Sequence, residues 1–273
     1  MDGLTTTHGP ATGPAAPERS WTVRWNRPPS PRLRLFCLPH AGGGAGAYRA
    51  WTRYLPPDVE VVAIRLPGRE TAFRETPLTS VDDVVRAVVR QAAPLLDRPH
   101  AWFGHSMGAI LAFEACRALR RLGLGEPARL LVSGRDAPHL PYRRPPVHAA
   151  PLPDLLARLH DLGGTPRDLL DDPSALSPLL PSLRADFAVV EGYRHRPGPP
   201  LDCPISVFAG TGDLDTTRDG LAAWRSHSGA GCVVRMFDGG HFYLHDDAEG
   251  VVPGIGRDLP GPPGADDPSG RTS

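Results

Sequence analysis

The sequence predicts an α/β fold: a mostly parallel, doubly wound sheet with a helical insertion near its carboxyl edge. Three observations carry this. Short β-branched or aromatic runs alternate with helical patterns along residues 32–237. The runs are nearly continuous in apolar character, as buried parallel strands require. One stretch, 150–195, breaks the alternation and reads as helices only.

The elements follow in order. RLRLFCL (32–38), VEVVAIRL (59–66), HAWFG (100–104), RLLVSG (129–134), ISVFAG (205–210) and CVVRMF (232–237) read as strands, most of them ending at Gly or Pro. Ser80 followed by Asp83 is a capping-box start. Behind it, Val81, Val84, Val85, Val88, Val89 and Ala92 form one apolar stripe at helical spacing. Residues 107–122 form a second helix that stops at Gly123. In the insertion, Leu152, Leu155, Leu156 and Leu159 make a stripe ending at Gly163-Gly164. Thr165, Pro166 and Asp168 supply cap, first-turn proline and N3 acid for a short helix, and 180–195 supplies another. The insertion has the place and character of a lid, with Gly163 and Gly164 as hinges or as a simple helix stop.

Composition sets the outer limits. The chain has 273 residues, with 30 basic against 30 acidic side chains, so formal net charge is 30 − 30 = 0. Every one of those bases is arginine. This balance argues against nucleic-acid binding, which needs a basic surface. No apolar run approaches the ~20 residues that cross a bilayer, and the start lacks the basic-then-apolar pattern of a signal peptide. Cys37, Cys116, Cys203 and Cys232 are scattered, without metal-ligand or disulfide spacing. The expectation is a cytoplasmic protein with no metal and no cofactor. The Gly- and Pro-rich residues 1–30 and 253–273 read as disordered tails around one domain, 31–252, with the lid at about 150–195.

Chemistry concentrates at Gly104-His105-Ser106-Met107-Gly108, a G-x-S-x-G nucleophile elbow between a strand and a helix. Such a turn puts the hydroxyl at a helix N-terminus, where developing negative charge is favoured. Serine needs a base. In an α/β-hydrolase fold the order is serine, acid, histidine. His241, after the last strand across Gly239-Gly240, is the best placed of 11 histidines. His105 should diverge from Ser106 at the tight turn; His139, His148, His160, His227 and His245 read as surface or packing residues. Asp213, after strand 205–210, is the chosen acid; Asp215 is its chief rival, and Asp238 lies in the turn of His241 itself. The oxyanion hole takes one N–H from Met107 and one from the loop Pro39–Gly44, where Ala41 is the natural donor. Arg65, Arg69 and Arg135, near the expected mouth, read as solvated surface charges. The same residues would also serve a generic carboxylesterase, or a hydrolase-fold binding protein without turnover.

Several segments together resemble the stand-alone (type II) thioesterases of polyketide and non-ribosomal peptide assembly lines. These are RLFCLPHAGGGAGAYRAW (34–51), RLPGRE (65–70), FGHSMGAILAFEACRAL (103–119), LLVSGRDAP (130–138), LRADFAVVEGY (183–193) and GGHFYL (239–244). The resemblance implies the α/β-hydrolase fold and hydrolysis of acyl groups from the phosphopantetheine arm of acyl or peptidyl carrier proteins, which clears stalled or mis-primed synthases. It implies a monomer that meets its carrier in trans. The family's triad falls on Ser106, Asp213 and His241, and its backbone donors on Ala41 and Met107. One departure stands out: the family often has Asp-Pro at the acid, where this chain has Asp213-Leu214-Asp215.

Overall fold

The computed structural model describes residues 20–261. Residues 1–19 and 262–273, where much of each expected tail falls, lie outside the described residues. Seven strands form one sheet in the order β1-β3-β2-β4-β5-β6-β7. They are β1 (Thr22–Arg24), β2 (Leu33–Leu38), β3 (Val59–Ile64), β4 (His100–His105), β5 (Arg129–Ser133), β6 (Ile205–Gly210) and β7 (Cys232–Phe237). All neighbours pair in parallel except β1, which runs antiparallel to β3. The six expected strands are present. β1 is an addition inside the expected tail: three half-buried residues clip onto the edge of β3, too short a run to announce itself by pattern.

Alternation along the strands separates two cores. Phe36, Val62, Trp102 and Val132 face α1 (Val81–Ala92) and α2 (Met107–Arg121). Leu35, Val61, Phe103 and Leu131 face Tyr48, Trp51 and Val252 on the other side. Ser80 caps α1 as expected, its Oγ accepting from the Asp83 N–H at 3.2 Å. The valine stripe of α1 is buried throughout, each valine contributing about 1.5–3 kcal/mol by leaving water.

Between β5 and β6 lie α3 (Leu152–Leu162), α4 (Arg167–Asp171), α5 (Pro173–Leu176) and α6 (Leu180–Gly192). They close over their own small core of Val147, Leu155, Leu159, Leu183 and Phe187. The expected cap at Thr165 shifts by one residue. Pro166, with ψ 138°, occupies the N-cap of α4, where no side chain bonds the helix end. After β6 come α7 (Arg218–Ala222), then beyond β7 α8 (Tyr243–Asp246) and α9 (Ala248–Gly256). Helix α9 runs past the expected domain end at 252. Asp247 caps it on the Gly250 N–H at 2.9 Å, and Val251, Val252 and Ile255 hold it in the core despite an internal Pro253. No helix among the described residues is long and apolar enough to cross a membrane.

The chain reverses its winding between β2 and β4, and Leu38 pairs beside Gly104. The carboxyl ends of these two strands therefore form the switch point, where doubly wound sheets hold their ligands.

Candidate active site

Ser106 sits between β4 and α2 with φ 55° and ψ −112°, a conformation a non-glycine residue rarely holds. Such strain costs on the order of 1–3 kcal/mol and persists only where the surroundings over-determine it. Two backbone bonds pin it. Its N–H donates to Ser133 O at 2.8 Å, and its carbonyl accepts from the Ala109 N–H at 3.1 Å. The glycines of the motif are demanded by contact. A Cβ on Gly104 would lie 1.9 Å from Gly108 O, and one on Gly108 would lie 2.3 Å from Leu38 O. The first turn of α2 thus presses directly on the end of β2 and brings the Pro39–Gly44 loop beside the serine.

That loop carries Ala41, and Met107 opens α2, where a helix leaves its first N–H groups without intrahelical acceptors. The N–H of Gly43 bonds His40 O at 2.9 Å, while that of Ala41 has no acceptor among the described residues.

Across the sheet, β6 and β7 end side by side, Gly210 opposite Phe237. Asp213 and His241 follow them. His241 Nδ1 lies 2.9 Å from Asp213 Oδ2, with both side chains shielded from solvent. The second Asp213 oxygen accepts from the Asp215 N–H at 2.9 Å. With the carboxylate ionised, Nδ1 carries the ring proton and Nε2 is left as an acceptor; Nε2 is buried and has no partner. Ser106, Ala41 and His241 line one cavity of about 240 Å³.

The rival acids are otherwise placed. Asp215 is held by Arg144 at 2.8 Å and by Arg158, and Asp238 is exposed. Among the histidines, His105 does diverge from the cavity, but it packs its ring 4.8 Å from that of His241 and bonds Ser133 Oγ through Nδ1 at 2.9 Å. Burial pushes His40 down to about 3 and holds His105 well below the usual imidazole range. Both are neutral near pH 7. His245 lies 5.1 Å from His40, and His139 and His227 bond each other at 2.7 Å. Gly164 packs so closely on Phe242 that a Cβ would sit 2.2 Å from its ring, joining the helical insertion to the His241 loop.

Three further residues shape the site, and local sequence pattern does not assign them to it. Arg69 and Asp186 form a buried pair at 2.7 Å, where Arg69 had read as a solvated charge. Arg69 Nη1 also donates to Gly43 O at 2.7 Å, and Asp186 Oδ2 accepts from the Gly42 N–H at 2.7 Å. Glu70, at φ 49°, accepts from the Gly46 N–H at 2.8 Å. The glycine-rich loop is therefore held from outside by charged side chains. Arg135, expected as a solvated surface charge, is half-buried and lines the cavity; Arg65 reaches Ser20 O at 2.6 Å.

A strained serine at the switch point, a buried carboxylate–imidazole pair and a braced loop that leaves the Ala41 N–H unbonded define a hydrolase of the α/β-hydrolase fold. Comparison with known proteins narrows this. A thioesterase-domain family model matches residues 33–259. The chain is 41% identical to the gramicidin S biosynthesis protein GrsT of Aneurinibacillus migulanus over 226 residues, 83% of this chain and 88% of that one. It superposes on RedJ, a thioesterase from the prodiginine biosynthetic pathway in Streptomyces coelicolor, with TM-score 0.78 and 37% identity, covering 84% of this chain and 87% of that one. The type II thioesterase BorB from the borrelidin biosynthetic cluster superposes with TM-score 0.79 and 34% identity, covering 89% and 99%. The chain belongs to the thioesterase family and is a thioester hydrolase.

Proposed function

We propose that this protein is a type II thioesterase that removes acyl groups from the phosphopantetheine arm of an acyl or peptidyl carrier protein. In this reading Ser106, His241 and Asp213 are the catalytic residues, and the N–H groups of Ala41 and Met107 form the oxyanion hole. The observation that carries it is the 2.9 Å bond between His241 and Asp213, which leaves Nε2 unpartnered on a residue lining the same cavity as the strained Ser106.

The steps follow from this geometry. Ser106 Oγ attacks the thioester carbonyl as His241 Nε2 takes its proton, and Asp213 stabilises the resulting imidazolium. The tetrahedral oxyanion rests on the two N–H groups, and loss of one such donor costs about 3 kcal/mol. The C–S bond breaks and the arm leaves as thiol, taking the proton from His241. An acyl-Ser106 ester remains. Water then gives its proton to His241 and attacks the ester; as the acyl–Oγ bond breaks, His241 returns that proton to Ser106 Oγ and the free acid departs. The helices between β5 and β6 act as the lid: α3 and the first turns of α6 share a small core of their own, Val189 and Val190 anchor α6 in the main core, and Leu162 and Phe187 line the cavity. The enzyme works as a cytoplasmic monomer on a carrier supplied in trans.

Turnover of a panel of acyl chains loaded on a carrier protein, with Ser106→Ala as control, tests this. Hydrolysis of carrier-bound thioesters in preference to small aryl esters, abolished in the control, is the expected result. Preference for aryl esters would replace it with a generic carboxylesterase. No Ser106-dependent turnover of either would leave a binding protein.

A further inference from the structure

Four arginines and two aspartates line the cavity: Arg135, Arg143, Arg144, Arg158, Asp136 and Asp215. With neutral histidines the wall carries 4 − 2 = 2 surplus positive charges. The carboxylates are already committed. Asp136 accepts from Arg143 at 2.7 Å and Asp215 from Arg144 and Arg158. Arg135 is the exception, since its guanidinium has no ion pair or hydrogen bond among the described residues and lies 4.9 Å over the ring of Tyr142. Burial lowers its pKa from the ordinary guanidinium value, yet a guanidinium stays charged near neutrality.

Its backbone is fixed. The Arg135 carbonyl accepts from Trp224 Nε1 at 2.9 Å, and the preceding Gly134 N–H bonds Phe208 O at 2.9 Å. A Cβ on Gly134 would lie 3.3 Å from His241 Cε1, so the arginine stands one residue from the imidazole. A half-buried cation whose neighbouring carboxylates, Asp136 and Asp215, are bonded to other arginines keeps part of its desolvation cost, which an anionic ligand relieves.

We infer that Arg135 forms an anion subsite that binds a negatively charged oxygen group of the thioester substrate. Two sources share this chemistry: a carboxylate on the acyl chain, and the phosphodiester of the pantetheine arm. The inference rests on the thioesterase reading of the same cavity.

The test compares the native enzyme with Arg135→Gln and Arg135→Lys on acetyl-pantetheine, acetyl-phosphopantetheine and succinyl-pantetheine. Arg135→Gln is expected to lower kcat/KM about ten- to hundredfold on the phosphorylated or on the succinyl substrate. Acetyl-pantetheine should change little, and Arg135→Lys should recover part of the loss. The substrate that suffers identifies the source. Equal loss on all three, or no loss on either charged substrate, overturns the subsite. A binding measurement separates this outcome from failure of the thioesterase reading. Calorimetry with the Ser106→Ala protein should give tighter binding of phosphopantetheine or of succinyl-pantetheine than of pantetheine, and Arg135→Gln should erase that preference whether or not the native enzyme turns over.

Discussion

Replacing Asp186 with asparagine should damage catalysis from outside the triad. The carboxylate makes two bonds at 2.7 Å, one to Arg69 Nη2 and one to the Gly42 N–H. An amide of the same shape has one acceptor oxygen, so one bond must be lost and Arg69 loses its charge partner. The side chains of Arg69 and Asp186 are 8% and 3% exposed, so solvent screening does little. Breaking a buried pair by removing one partner costs about 3–5 kcal/mol of stability, against a typical total of about 5–15 kcal/mol. The protein should fold with a lowered urea midpoint. The effect on rate follows from what the pair holds. Gly42 and Gly43 directly follow Ala41, and a glycine-rich loop has no rigidity of its own. Complete loss of one oxyanion donor costs about 10²–10³ in kcat, which sets the ceiling. Partial displacement should lower kcat about ten- to hundredfold with KM within about threefold, because the donor acts mainly in the transition state. Steady-state kinetics on an acyl-pantetheine thioester, alongside urea unfolding, measure both. A folded Asp186→Asn enzyme with native kcat, or one changed in KM alone, would refute the reasoning.

Two other predictions follow. Asp213→Asn should reduce kcat by about 10⁴, since the amide favours the wrong imidazole tautomer, whereas Asp215→Asn, which disturbs only the arginine pairs, should retain most activity; the reverse ranking in kcat would move the triad acid to Asp215. His40 titrates near 3 when folded and near 6.5 when unfolded. Between these values the unfolded chain binds the proton that the folded chain refuses, so stability falls as pH falls, by about 1.4 kcal/mol per pH unit for one such group. Unfolding measured from pH 6.5 down to 4.5 should show a shallower loss in His40→Gln, and an unchanged slope would dismiss His40 as a source of acid lability.

Local signals and distant contacts were not equally legible in the sequence. The strand runs, the valine stripe of α1 and the elbow at Ser106 could be read because their causes lie within a few residues: side-chain period, capping oxygen, steric need for glycine. The positions of Asp213 and His241 followed from fold order, each at the end of a strand. β1 escaped because an edge pairing of three residues leaves no pattern, and the register that fixes it is supplied by β3. Helix α9 escaped because Pro253 and its glycines contradict helix propensity, which tertiary burial overrides. The Arg69–Asp186 pair spans 117 positions, and the need for it becomes visible only once α6 packs over the glycine-rich loop. The place of Arg135 on the cavity wall is hidden for a related reason: charge alone does not say whether an arginine meets open water or a cavity.

The proposed chemistry requires that His241 and Asp213 together make Ser106 nucleophilic. The rate of fluorophosphonate labelling, mapped by peptide mass spectrometry and compared between the native enzyme and His241→Ala, tests this most directly. Labelling confined to Ser106 that slows by about 10³ or more without the imidazole is the predicted result. Labelling of a different residue, or an undiminished rate at Ser106 in His241→Ala, would contradict it.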